Sequence, residues 1–410
     1  MTLSLAWRNI WRHRWRSLVT AGAVSLVVLL SLTFFGMGGA SRNSFYQRIT
    51  ENSGHVQIRQ PGWRDARGLR DSLIRDASTV SRKLAALAES RLEQPIVVGV
   101  LDVPALLSGA VRSRAVLIHG QDWPQAIRDR RLEGASLEGR FLEGPGEIVL
   151  GASLARALDV ALGDEVFAYS PESEGFGAAA YSVVGLVDVA DPNQEIVTAW
   201  TTLEEAQLLA APDAVTHFEI HAPSLVTIDD DALAVALADE IGAELPALEA
   251  LDWRELEPAT VQLLETIDPM LYSVSALFFV LAGLLVLNTV YLSVMERVRE
   301  LGVIQALGAG GSRIVALIAT ESVLLCSVGA LVGAGLGLAA VSSMADGFTV
   351  PSLAEYWASF GLDPVLYVTV TPAQVVFAIL FAVITALLAA LWPAVLAARL
   401  EPVDAMRFQA

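Results

Sequence analysis

The residues able to do chemistry are few and far apart. Of five histidines, His13, His55, His119, His217 and His221, only the last two lie close together, and a strand through Phe218-Glu219-Ile220 gives them at best a shared face. A metal centre would need more ligands than the neighbouring sequence supplies. No Gly-x-Ser-x-Gly turn or Ser-His-Asp context marks a nucleophile, and no Gly-x-x-x-x-Gly-Lys-Ser/Thr loop is present to cradle phosphate. The single cysteine, Cys326, cannot form an intramolecular disulfide, and in apolar surroundings it reads as a small core residue rather than a reactive thiol. Catalysis, a bound cofactor and a bound metal are therefore not expected of these residues. One carboxylate stands out by position. Glu321 interrupts an apolar run, where an ionisable group is costly and marks a functional candidate.

The elements that must position such groups are mostly apolar. Hydrophobic residues make up 54% of the 410, and the mean hydropathy is +0.52. Four segments exceed the roughly 20 residues that cross a hydrocarbon core as a helix: Leu18 to Ala40, Pro269 to Met295, the run past Arg313 to Ala345, and Thr371 to Ala398. The net charge of −18 is concentrated elsewhere, since Ser41 to Met270 holds 37 acidic and 18 basic residues while the remainder is nearly neutral. An acidic surface argues against nucleic acid, whose binding needs clustered Lys and Arg. This middle region has no cysteine, so its own core must hold it together.

Residues Leu5 to Ser17 place Trp7, Trp11 and Trp15 at four-residue spacing with Arg8, Arg12 and Arg16 one step behind, the pattern of a helix lying in the interface against membrane lipid. It leads into the first span without a small-x-small cleavage site, so that span reads as an uncleaved anchor. Positive charge puts the N-terminus in the cytoplasm, and alternating the spans puts the Glu296–Arg313 loop and the tail with Arg399 and Arg407 there too. The third span carries Gly329, Gly333 and Gly337 on one face, which permits close packing against a helix the sequence does not identify.

Between the second and third spans, Glu296 to about Leu307 reads as a short amphipathic helix. Val298, Leu301, Ile304 and Leu307 share one face, while Glu296, Arg299, Glu300 and Gln305 fall mainly elsewhere. Gly308, Gly310 and Gly311 end it, and Ser312 is placed to cap the next helix. On spacing alone the favoured reading is an ordinary polar loop between spans. The residues Glu300-Leu-Gly-Val-Ile-Gln-Ala-Leu-Gly-Ala309, however, closely resemble the cytoplasmic signature of the FtsX-like/MacB-like ABC transporter permeases. That resemblance implies a coupling helix seated in a groove of an ATPase subunit, with Glu296, Arg299, Glu300, Leu301, Gly302, Ile304, Leu307 and Gly308 as the contact residues. The segment from Trp392 to Arg407, bracketed by Pro393 and Pro402, resembles the C-terminal signature of the same superfamily.

The middle region mixes strand patterns, at 54–59, 96–101, 115–119, 147–150, 165–169 and 181–187, with helix patterns at 81–91, 152–158 and 203–209, the last with Thr202 as a cap. Ser53-Gly-His-Val-Gln-Ile58, Leu137-Glu-Gly-Arg-Phe-Leu142, Ile148 to Ala155, Leu162-Gly-Asp-Glu-Val166 and Val183 to Leu186 are similar to landmarks of the periplasmic domain in lipoprotein-releasing (Lol-type) and MacB-like permeases. Between two of the strands, a loop from Ser170 to Ala180 carries Pro171 and an apolar Phe176. The resemblance implies that this hairpin contacts a lipoprotein carrier; the residues alone describe a plain hairpin loop.

The expected architecture is a membrane protein of four transmembrane helices plus a large α+β extracytoplasmic domain inserted between helices 1 and 2. Its parts are an interfacial helix at 1–17, spans at 18–40, 271–295, 313–345 and 371–398, the domain at 41–270, a coupling helix and loop at 296–312, an outer loop at 346–370 and a cytoplasmic tail at 399–410. The resemblance implies an inner-membrane permease subunit that couples ATP hydrolysis by a separate subunit to domain motion and releases lipoproteins. Its alternatives are MacB-like export of peptides or hydrophobic compounds and FtsX-like activation of wall hydrolases. The implied partners are a cytoplasmic ATPase dimer holding ATP and Mg, a second permease subunit, like or unlike, and a periplasmic lipoprotein carrier.

Overall fold

The computed structural model describes residues 14–122, 124, 136–171, 177–188, 196–225, 227–307, 309–345, 347–349 and 365–399. They divide into two compact units, one built on Arg42–Leu263, the other on the chain up to Ser41, Leu264–Phe348 and the part from Val365 onward.

The second of these units is helical. Arg14–Ser53, Pro258–Glu296, Gly311–Met344 and Pro372–Ala398 form four helices, each long and apolar enough to cross a membrane. The first two continue beyond the apolar runs that define them in the sequence, the second of them straight through Pro269. The expected boundaries at 41 and 270 therefore fall inside continuous helices, and Pro269 lies within the second helix rather than at its start. Leu18, Leu284, Leu331 and Leu388 are all more than half exposed, whereas Val28, Phe279, Cys326, Ala330 and Ala382 are buried. A bundle that is apolar both inside and outside has lipid as its solvent.

The glycine stripe now has its partner. A Cβ at Gly329 would sit 2.6 Å from the Ala21 carbonyl oxygen, one at Gly333 would overlap the Ser25 carbonyl, and one at Gly337 would lie 2.9 Å from Leu32 Cδ1. All three belong to the first membrane helix. The fourth helix contributes Ala378, Ala382, Ala386 and Ala389 to the core around Cys326, Ala330 and Ala334. Its start is fixed by a capping box, in which the Thr371 hydroxyl accepts from the Gln374 amide and the Gln374 side chain accepts from Thr371 N–H at 3.0 Å. The cap expected from Ser312 is not formed. Gly310 is the N-cap of the third helix, so Ser312 falls inside its first turn.

The other unit is the α+β domain. Its strands are β1 (Val56–Arg59), β2 (Ile74–Arg75), β3 (Ile96–Ser108), β4 (Ser113–Gln121), β5 (Ser136–Gly139), β6 (Glu147–Gly151), β7 (Glu165–Tyr169), β8 (Ala178–Asp188), β9 (Thr198–Thr201), β10 (Ala214–Val215), β11 (His217–His221) and β12 (Glu249–Asp252). Ten of them form one sheet in the order β12-β1-β11-β3-β4-β9-β6-β8-β5, with β7 pairing both β3 and β8. The strands β3, β4, β9, β6, β8 and β7 thereby close into a ring around Leu101, Leu107, Ile118, Leu150, Val166 and Val183. Helix Leu203–Leu209, capped by Thr202 as expected, lies so close to β4 that a Cβ at Gly120 would collide with that of Ala206. At the open end, Val56, Ile58, Phe218 and Ile220 pack against Leu84 and Ala88 of helix Ala77–Glu89 and against Leu237 and Ile241 of helix Ala232–Glu244. Strands β9 and β12 and the helix Ala232–Glu244 are not among the elements the sequence suggested. The strands are only four residues long, and the alanine-rich helix has little contrast between its faces.

A carboxylate clamps the entry to β6. Glu147 takes both Nη groups of Arg140 and accepts from the Glu143 and Gly144 amides at 2.8 and 3.2 Å. The Arg140 hydrogen bond, helped by those amides, holds its pKa down to about 2.

Two outcomes follow. Gly333→Val should lower the Tm of the purified protein, since overpacking a tight core costs about 1–3 kcal/mol; Gly335→Ala should not, as nothing lies within 4 Å of a Cβ there. The second concerns acid. A carboxylate with a depressed folded pKa stabilises the fold above its ordinary pKa, and that contribution is lost as pH falls toward the folded value. Arg140→Ala should therefore lower Tm at neutral pH by a margin that shrinks as pH falls below about 4.5, measured by thermal unfolding across pH.

Candidate coupling site

The chain leaves the second membrane helix at Glu296, bends at Arg297 and forms the helix Val298–Ala306, shorter at both ends than the expected Glu296–Leu307. Its apolar face divides in two. Val298 and Leu301 are 2% and 5% exposed, with Gly302 buried beside them, and Leu301 packs with Val294, Ile314, Ile318, Ala394 and Ala397 of the membrane helices. Ile304 and Leu307 are 39% and 84% exposed, as is Val303 at 44%. Leu301 and Gly302, expected to meet an ATPase, are buried and seat the helix on its own bundle. Glu296 ends the preceding helix and pairs with Arg16 Nη2 at 2.5 Å, so it too is not on this helix. Arg299 and Glu300 are exposed on it, and Gly308 lies outside the described residues.

Arg297 and Gln305 tie the helix to the bundle. Arg297 reaches Glu300 through Nε and Glu321 through Nη1, each at 3.4 Å. Gln305 Nε2 donates to the carbonyls of Ala397 and Ala398 at the end of the fourth membrane helix, both at 3.4 Å. The Arg297 and Glu321 side chains are 16% and 20% exposed. Glu321 leans toward the start of its helix, as a helical side chain must, and meets a guanidinium there. In so dry a place, removing one charge of a pair strands the other, at a cost of up to about 3–5 kcal/mol for full burial. The sequence marks Glu321 and places Arg16 in the interfacial pattern, but shows neither Arg16 nor Arg297 as a partner for a carboxylate. The available signal was charge matching: a lone carboxylate one turn or two inside a span implies a cation at the adjoining end.

Three of the histidines, His119, His217 and His221, converge in the other unit. Residues His217, Glu219 and His221 of β11 share a face, with His221 Nε2 3.0 Å and His217 Nε2 3.5 Å from the Glu219 carboxylate. Asp102 of β3 joins them, 3.7 Å from His217 Nδ1 and 2.6 Å from His119 Nδ1. Burial pushes the Asp102 pKa up, but the His119 hydrogen bond and the charges of His217, His119 and Arg59 outweigh it and hold the pKa below the usual range. Among the described residues no three His, Cys, Asp or Glu side chains are placed to hold a metal. Pro171 is exposed just after β7, whereas Phe176 lies outside the described residues.

Four apolar helices with a large α+β domain between the first and second define a multi-pass membrane protein of the permease type. Two family models match it: the FtsX-like permease C-terminal over residues 272–402 and the MacB-like periplasmic core domain over residues 17–244. The chain belongs to the FtsX-like/MacB-like family of ABC transporter permeases. It is 26% identical to the macrolide export ATP-binding/permease protein MacB of Rhodospirillum rubrum over 98% of this chain and 60% of that one. It is 33% identical to the MacB of Escherichia coli strain K12 over 34% of this chain and 19% of the relative. The chain thus spans no more than about three-fifths of these relatives. The crystal structure of the periplasmic region of MacB from Actinobacillus actinomycetemcomitans matches 52% of this chain and 97% of its own, at 15% identity and a TM-score of 0.35.

The Arg297–Glu321 pair makes a testable demand. Glu321→Arg should destabilise the protein and weaken ATP-dependent function, and adding Arg297→Glu should restore a large part of both; a double variant no better than the single one would show that the pair does not hold the helix.

Proposed function

We propose that this chain is the membrane subunit of an ABC transporter, and that the helix Val298–Ala306 couples it to a cytoplasmic ATPase dimer that holds ATP and Mg. The observation that carries this reading is the exposed apolar edge of Val303, Ile304 and Leu307, presented by a helix whose opposite edge is fixed by Leu301, Arg297 and Gln305. Apolar side chains flanked by exposed charges, on a rigid support, are suited to a partner's groove. In this reading the ATPase is a separate subunit. Two permease subunits, like or unlike, complete the assembly, since four helices are few for a translocation path.

In this reading the arginine-rich ends face the cytoplasm and the α+β domain faces outward. The cargo is a peptide or hydrophobic compound, a choice supported by the macrolide-export names of the relatives. Lipoprotein release is the second reading. It is favoured by the Lol-like landmarks from Ser53 to Ile58 and from Leu137 to Leu142, and in it the hairpin of Pro171 and Phe176 would meet a carrier.

Ile304→Asp or Leu307→Asp should leave the protein folded in the membrane but lower ATPase co-purification by tenfold or more, because a charge enters an apolar contact. Cells carrying only such a variant should become sensitive to hydrophobic toxins if the cargo is a small compound, or retain lipoproteins in the inner membrane under the second reading. Normal transport by Leu307→Asp would sink the coupling role. Orientation is checked by single cysteines at Ser90 and Ser312 in a Cys326→Ser background, which should react with an impermeant thiol reagent from outside and inside respectively. Labelling from one side only would refute the arrangement.

A further inference from the structure

The motif Ser53-Gly-His-Val-Gln-Ile58 carries a histidine that the coupling site leaves unused. His55 lies between the last turn of the first membrane helix and β1, and it is 5% exposed. Gly54, at φ 73°, makes the bend into it, and the His55 N–H donates to the Ile220 carbonyl at 2.8 Å. Both ring nitrogens are committed. The Ala222 amide donates to Nδ1 at 3.1 Å, and Nε2 lies 3.2 Å from the Leu225 carbonyl. An amide N–H can only donate and a carbonyl can only accept, so the ring is the neutral tautomer with its one proton on Nε2. Ala222 and Leu225 are the two ends of one turn, closed by the bond from Leu225 N–H to the Ala222 carbonyl at 3.0 Å. The imidazole thus clamps that turn at both ends, beside a core that includes Val56, Ile220, Ala222 and Leu225.

The same ring faces the end of the first helix. Tyr46 stands edge-on to the His55 ring at 5.9 Å and to the Trp253 ring at 5.5 Å, and Asn43 Oδ1 accepts from the Ile228 amide at 3.4 Å. Trp253 Nε1 donates to Asp231 at 2.7 Å, where Arg254 also binds. The titratable and charged groups packed around the ring include Tyr46 and, acting on Tyr46, Asp230, Asp231 and Arg254. The domain's other histidines, His119, His217 and His221, face carboxylates instead. A proton added to His55 goes on Nδ1, where it points at the Ala222 N–H, and a ring this buried leaves water little room to take over the displaced bond. We propose that His55 is an acid-operated catch, closed by the neutral ring and opened when protonation of Nδ1 expels the Ala222–Leu225 turn. Closed above about pH 6.5, the ordinary range of an imidazole, it opens as pH falls. Its use rests on the coupling reading: the helix end it holds is the one by which movement of the bundle would reach the domain, so acid outside would slacken that link.

Hydrogen exchange of the full chain read by mass spectrometry at about pH 7.5 and about pH 5.5, with labelling times scaled for the chemical rate, tests this. Peptides covering His55 to Arg59 and Ala222 to Leu225 should exchange about tenfold faster in acid, while the ring strand β6 is unchanged. His55→Gln, whose amide can accept from Ala222 and donate to Leu225 without taking up a proton, should keep both segments protected at either pH. Asp231→Asn removes the other nearby group that acid could neutralise, burial having pushed its pKa up, and should preserve the wild-type response. No acid effect in the wild type, or one as large in β6, overturns the proposal. So does an acid response that survives in His55→Gln or vanishes in Asp231→Asn. If His55→Gln does not fold, the wild type and Asp231→Asn decide. These exchange rates owe nothing to the coupling reading, which fails separately if Leu307→Asp transports normally.

Discussion

In hydrocarbon, helices gain nothing by hiding apolar side chains from their solvent, so what joins them is close packing and the few polar contacts that can be made there. Here that constraint is met at Gly329, Gly333 and Gly337, where the third membrane helix meets the backbone of the first at Ala21 and Ser25. The rest of the helical unit depends on this approach. It brings the first turn of the first helix beside the ends of the second and third, which is where Arg16 finds Glu296 and where Arg297 finds Glu321. A methyl group at Gly329 or Gly333 would press on the backbone of the first helix.

The coupling helix depends on the charges in turn. Nine residues in isolation make a marginal helix, so its order comes from what it rests on. Leu301 supplies the apolar anchor, Arg297 the electrostatic one, and Gln305 a link to the fourth helix. With one edge so held, Val303, Ile304 and Leu307 are presented as a rigid surface. Rigidity is useful there, because a push delivered to a loosely held segment is absorbed and a push delivered to a fixed one is passed on.

Much of this was readable in the sequence. The four spans show as long apolar runs because lipid demands them, ring strand β6 shows as a short apolar run, and β7 and β8 show as alternating ones. The Thr202 cap is local chemistry and was read correctly. What escaped was set by distant contacts. The face of Val298, Leu301, Ile304 and Leu307 is one stripe on a helical wheel, but only the position of Ile314 and Ala397 decides which half is covered. Asp102 and His119 join the β11 residues through strand pairing, so no spacing in the sequence predicts that meeting. Arg297 was visible as a residue and invisible as a partner for the same reason.

The closed ring and the sheet that extends from it impose an order in time. Strand β1 lies between β11 and β12, with Val56 paired to Ile220 on one side and to Asp252 on the other. Neither edge of β1 can be satisfied until the chain has been made almost to the second membrane helix. Pairings this remote close slowly, since the loop entropy is lost before the contacts form. During synthesis the first membrane helix is therefore in place while β1 waits with both edges open. The alternating strand Val-Gln-Ile-Arg, which carries one polar residue and one arginine, is a sensible choice for a segment that must stay unpaired without pairing wrongly.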